Sequence, residues 1–189
     1  MKGNDSRGYR DNLVSELSRV FPKADPRLFS AILKHPRESL FPSIPMDVLY
    51  GKERVGGFAG RPAPSVFEVS KILVESGVQR GDRVLLISPT DPYFLVILSE
   101  LTLRISIFEE NPGIAEELSI VLSELGLPHV KVVQDPSQLE SVSEGKKIIH
   151  VNFLQKEHLL SDVYRKIPSG MLFCYVLGNG TTMERYGCF

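Results

Sequence analysis

The residues best equipped for chemistry stand at the ends of short apolar runs. "RVLLI" (residues 83–87) leads into "SPTDPY" and then into the apolar "FLVILSEL", a strand passing through a tight turn into a buried helix. In an α/β domain that holds a nucleotide or cofactor, glycines occupy this turn, because they take positive φ and let the backbone approach the ligand. Here the turn is Ser88, Pro89, Thr90, Asp91 and Pro92, with no glycine. Ser88, Thr90 and Asp91 are its candidate ligand-facing positions. Two further carboxylates occupy comparable places: Glu109 directly follows "RISIF" (104–108), and Asp135 closely follows "HVKVV" (129–133). A carboxylate beyond a strand can accept ligand hydrogens, or it can simply be solvated. Arg61, in the loop "AGRP", can grip a carboxylate with its planar fork, or it too can be solvated.

Other chemistries find no support. The four histidines (His35, His129, His150, His158) are scattered, without metal-ligand spacing. Cys174 and Cys188 make no disulfide framework, so a reduced, cytoplasmic protein is expected. Neither "GxGxxG" nor a phosphate-binding P-loop sequence occurs.

The elements that must position these groups begin with helices. "RDNLVSELSRVF" carries Leu13, Leu17 and Val20, with Val14 and Phe21 alongside, at helical spacing. "ADPRLFSAILKH" offers Asp25 as N-cap and Pro26 at the first helical position, with Leu28, Phe29, Ile32 and Leu33 as its buried face. Residues 36–64, rich in proline and glycine, show no sustained periodicity, which marks a functional or linking segment. "SVFEVSKILVESGV" is helical again, with Val66, Val69, Ile72 and Leu73 inward and Gly77 as its stop. From Gly81 the pattern alternates. Strands "RVLLI", "RISIF", "HVKVV", "KKIIHVNF" and "MLFCYVL" are separated by a helix capped by Asp91, by the helix "NPGIAEELSIVLSELG" and by the helix "QKEHLLSDVYRKI". Ile114, Leu118, Val121, Leu122 and Leu125 line one face of the second helix, which Asn111 caps and Gly126 ends. Short apolar strands alternating with helices call for a doubly wound, mainly parallel sheet. Ligands of such sheets bind at the carboxyl ends of the strands, where "SPTDPY" lies.

Composition sets the outer bounds. The chain has 189 residues, 42% hydrophobic and 24% charged, with a formal net charge of -1. That length allows one sizeable core. The charge balance argues against nucleic acid or a membrane surface as partner. The polar "MKGNDSRGYRDN" lacks the apolar centre of a signal peptide, and no apolar run reaches the roughly 18 residues of a bilayer span.

Taken in order, these motifs resemble the protein-L-isoaspartate O-methyltransferases. "HPRESLFPS" is similar to that family's "VPR.xF.P". "GDRVLLISPTDPY" is similar to "GDRVLEIGTGSGY", "RISIFEENPGIAEEL" to the following strand ending in Glu, and "VKVVQDPS" to the strand before a Gly-Asp pair. The resemblance spans residues 26–177. It implies a Rossmann-like methyltransferase fold that uses S-adenosylmethionine (SAM), divided as 1–64, a helical region with a substrate-type loop, and 65–189, the Rossmann-like domain. It implies that Ser88, Thr90, Asp91, Glu109 and Asp135 face SAM. Of these, Glu109 would hold the ribose hydroxyls and Asp135 the adenine amino group. Arg61 would face the substrate.

The departures are as telling as the matches. Ser88, Thr90 and Pro92 stand where the family has glycines, Leu86 where it has an acid, and "AGRP" where it has the hydroxyl residues of "QTIS". The family's sheet ends in an antiparallel pair of strands, and "GNGTTMERYGCF" is too short for both. One reading is therefore a non-catalytic relative with impaired SAM binding, acting as a module for a protein or peptide partner. The other is a divergent active enzyme, since methyl transfer needs mainly proximity and orientation. The sequence-level repair is to replace residues 88–92 with "GTGSG", at an entropic cost of ~0.5–1 kcal/mol per glycine.

Overall fold

The computed structural model describes residues 5–57, 60–89, 91–138, 147–152, 172–177 and 183–187. They fall into two compact units, Met1–Gly77 with Asp91–Leu101, and Val78–Thr90 with Thr102–Phe189.

The first unit is helical. It contains α1 (Asp5–Val20), α2 (Pro26–Lys34), a 3-10 turn at Arg37–Ser39, α3 (Met46–Leu49), α4 (Val66–Ser76) and α5 (Pro92–Leu101). Asp25 caps α2 as expected, its Oδ1 accepting from the Arg27 amide at 2.9 Å, and Pro26 opens the helix. The buried face of α2 is Leu28, Ala31 and Ile32. Leu33, expected inward, is 39% exposed because it lies about 100° round the helix from Ile32. Val20 is likewise 49% exposed: it is the last residue of α1, and its apolar stripe, buried at Leu13 and Leu17, runs off the helix end. α2 is tied to α5 by Arg27, which donates to the Leu101 carbonyl at 2.8 Å, and by Lys34 and His35, which both reach Glu100. α5 is apolar almost all round, and Tyr93, Phe94, Leu95, Val96, Ile97, Leu98 and Leu101 are buried.

The irregular stretch before α4 contains a short antiparallel ribbon, β1 (Val55–Gly56) with β2 (Pro62–Ala63), paired Val55 to Ala63 and Gly56 to Pro62. α4 starts with a capping box. Ser65 Oγ accepts from the Glu68 amide at 3.2 Å, and Glu68 Oε2 accepts from the Ser65 amide at 2.9 Å. It stops at Gly77, whose φ of 59° needs no Cβ penalty to be paid. All four residues expected inward on α4 are buried.

The second unit is a six-stranded sheet in the order β5-β4-β3-β6-β7-β8. Its strands are β3 (Arg83–Ile87), β4 (Arg104–Phe108), β5 (Lys131–Val133), β6 (Lys147–Asn152), β7 (Leu172–Leu177) and β8 (Met183–Gly187). All neighbours pair in parallel except β7 and β8, which are antiparallel. β3 and β4 each start exposed and are then buried for four consecutive residues, the pattern of a parallel sheet covered on both faces. Between β4 and β5 runs α6 (Pro112–Glu124), capped by Asn111 Oδ1, which accepts from the Gly113 and Ile114 amides. Ala115, Leu118 and Leu122 are its buried residues, while Ile114, Val121 and Leu125 are only half-buried. The helix expected over "QKEHLLSDVYRKI" lies outside the described residues. From β3 the chain builds outward through β4 to β5, then resumes on the other side of β3 with β6. The carboxyl end of β3 is therefore the topological switch point.

Candidate functional site

Three of the sequence-derived candidates meet at the carboxyl ends of adjacent strands. Ser88 follows β3, and its amide donates to the Phe108 carbonyl at the end of β4 at 2.8 Å. Glu109 follows β4, and its amide donates to the Val133 carbonyl at the end of β5 at 3.0 Å. Asp135 lies two residues beyond β5. The ladder thus continues past the strands and sets the first two in register.

Their local states differ. Ser88 has φ +47°, the one non-glycine residue with positive φ among the described residues. Ser88 thus carries a side chain in the left-handed backbone region that glycine adopts freely. The Glu109 carboxylate is 2% exposed and accepts from the Asn111 amide at 3.1 Å, so it also organises the start of α6. Asp135 is exposed; its Oδ1 accepts from the Ser137 amide at 2.8 Å, opening the 3-10 turn Pro136–Gln138. Thr90 lies outside the described residues.

The other candidates belong to the helical unit. Asp91 is the N-cap of α5: its Oδ1 accepts from the Tyr93 amide at 2.9 Å. Pro92 has no N–H, so the first turn of α5 has its donors either removed or turned onto its own cap. Arg61 closes the ribbon, its carbonyl accepting from the Gly57 amide at 2.7 Å, and its side chain is half-buried. Arg54 holds the other side of this loop, donating from Nε and Nη2 to Glu68 at 3.0 and 2.6 Å.

One cluster escaped the sequence reading. Arg37, from "HPRESLFPS", is fully buried. Its Nη1 donates to the Leu49 carbonyl at 3.1 Å and its Nη2 to the Pro64 carbonyl at 2.7 Å, with Nη2 3.7 Å from Asp91 Oδ2. The guanidinium lies 5.3 Å from the Phe41 ring centre and 5.6 Å from that of Tyr93. The Arg37 amide donates to the Tyr50 hydroxyl, which donates to Glu38, and Glu38 also receives Arg10 Nη1 at 2.9 Å. Burial pushes the Asp91 carboxyl up to about 6, against the pull of Arg37 and the helix amides, and raises the Tyr93 phenol as well. The sequence signal was the resemblance of "HPRESLFPS" to the motif "VPR.xF.P", which marks Arg37 without naming its partners.

No protein-family model and no curated protein matches the chain. Solved structures do. A protein-L-isoaspartate O-methyltransferase superposes with a TM-score of 0.66 at 18% identity, over 90% of this chain and 55% of that one. The chain has a Rossmann-like methyltransferase fold. A mutant of MtNAS matches at 18% identity with a TM-score of 0.51, over 87% of this chain and 54% of that one. An MtNAS mutant in complex with S-adenosylmethionine matches at 15% with a TM-score of 0.50, over 90% and 60%. This chain therefore spans between 54% and 60% of the length of these three structures. Within the methyltransferase fold, Ser88 stands at the switch point and Glu109 and Asp135 beyond the next two strands. No helix among the described residues is long and apolar enough to cross a membrane, and no described group of His, Cys, Asp or Glu could hold a metal.

Proposed function

We propose that this chain is a relative of the protein-L-isoaspartate O-methyltransferases in which SAM binding is impaired, and that it serves as a binding module for a protein or peptide. The observation that carries this reading is the turn after β3. Its positive-φ position holds Ser88 in place of glycine, and the α5 amides that follow are removed by Pro92 or turned onto Asp91. A cofactor cradle needs both close backbone approach and free donors, and each has been replaced. The ordered resemblance across residues 26–177 supports the family, and "AGRP" in place of hydroxyl residues supports the loss of isoaspartyl chemistry.

Calorimetric titration with SAM and with S-adenosylhomocysteine tests this. The expected result is no saturable binding in the micromolar range, and a negligible rise in Tm at millimolar ligand, since stabilisation follows the ratio of ligand to Kd. A labelled-SAM assay on an isoaspartyl peptide should show no turnover above that of Arg61→Ala.

The register of Ser88, Glu109 and Asp135 favours a second reading, a divergent active SAM-dependent O-methyltransferase. A micromolar Kd for SAM would select it over the first.

A further inference from the structure

The Arg37 cluster contains two kinds of unfinished business. Among the described residues, Asp91 Oδ2, Arg37 Nε, Tyr93 OH and Arg10 Nε are buried side-chain atoms without a hydrogen-bond partner. Arg37 also faces Asp91 without bonding it, because its Nη groups already serve the carbonyls of Leu49 and Pro64. A buried ion pair offsets its lost hydration only with good geometry and complete hydrogen bonding. This one has neither. Asp91 at the same time caps α5, and Arg37 at the same time holds the residue that follows the ribbon, Pro64.

We propose that Asp91 is a proton-controlled latch: protonated, it closes the Arg37 cluster over the first turn of α5 and the β1–β2 ribbon, and ionised, it favours their local opening. Among the described residues, these charged and titratable groups surround it. Arg37 and Glu38 come from the 3-10 turn, Arg10 from α1, Tyr50 from the end of α3, and Tyr93 from α5 itself; on the ribbon side Arg37 meets the Pro64 carbonyl. Arg10 and Glu38 are paired with each other, so the charge facing Asp91 is that of Arg37.

The sign follows from linkage. The carboxyl titrates near 6 when closed, against 3.8 when hydrated in an opened or unfolded chain. Its contribution to the closed state is therefore full below about 3.8 and is lost as pH rises through about 6. The latch should be firm in mild acid and loose at neutral pH.

Two measurements on the full chain test this, with Asp91→Asn as the comparison, since asparagine caps helices as well as aspartate and carries no charge. In urea unfolding from pH 4 to 8, the unfolding constant of the parent should rise at least tenfold relative to Asp91→Asn between pH 4 and 7. Amide exchange at Phe94 and Ala63, corrected for intrinsic rate, should speed up over the same range in the parent alone. A carboxyl NMR titration of the unmodified protein stands even if the variant folds poorly. An Asp91 midpoint at or below 4, or a parent-to-variant ratio that stays flat with pH, overturns the proposal.

Discussion

At the residue scale, Ser88 is the sharpest conflict between side chain and backbone. The left-handed conformation costs an L-residue on the order of 1–2 kcal/mol, whereas glycine gives up roughly 0.5–1 kcal/mol of unfolded-chain entropy. With φ at +47°, the first term wins. Ser88→Gly should therefore stabilise the protein by about 0.5 kcal/mol, read as a higher urea midpoint at unchanged m. A lower midpoint would mean that the serine side chain contributes more than its strain costs. The sequence showed that a glycine was missing here but not what its return would do, because φ is set by the ladder bond from Ser88 to Phe108. Arg37 was illegible for a related reason. Its partners at Leu49, Pro64 and Asp91 are 12, 27 and 54 positions away, and local spacing carries no trace of them.

At the scale of elements, whatever depended on local chemistry was legible. Asp25 with Pro26, and Asn111 with Pro112, mark helix starts through their side-chain oxygen and fixed φ, and both helices start there. β3 and β4 span the expected residues because five apolar or edge positions between turn residues admit little else. What local chemistry left out was the ribbon, whose two-residue strands depend on pairing across a loop. Within the irregular stretch 36–64, Gly56 pairs with Pro62 and the Gly57 amide donates to the Arg61 carbonyl, while Arg54 to Glu68 and Arg37 to Pro64 anchor the segment. The Ser65–Glu68 box is the joint between that ribbon and α4. Ser65→Ala should cost about 1 kcal/mol of stability, the usual worth of an N-cap. Because Ser65 is buried, the loss should exceed that of an exposed serine such as Ser30→Ala, measured side by side in urea.

At the scale of the molecule, alternating strands and helices foretold a parallel sheet with its switch point at β3, and the sheet order agrees. Among the described residues one antiparallel strand, β8, ends the sheet beside β7, in line with the expectation that "GNGTTMERYGCF" is too short for both strands of the family's antiparallel pair. The structure also decides how glycines should be introduced after β3 to test the proposed cofactor assignment. Replacing residues 88–92 with "GTGSG" would put serine, itself a good N-cap, for Asp91 and glycine for Pro92, so α5 would lose its proline-fixed start and the Arg37 cluster its carboxyl, and any gain in SAM binding would be confounded with those changes. A repair that changes only Ser88→Gly and Thr90→Gly relieves the strained position and spares the cluster. If Ser88, Glu109 and Asp135 line a decayed cofactor cleft, this double variant should gain calorimetrically measurable SAM binding. Adding Glu109→Gln, which preserves an oxygen for the Asn111 amide but removes the charge, should then abolish that gain. Circular dichroism must show each variant folded. A folded double variant that ignores SAM would reject the assignment of these strand-end residues while leaving the binding-module reading intact, and SAM binding that survives Glu109→Gln would reject the role given to that carboxylate alone.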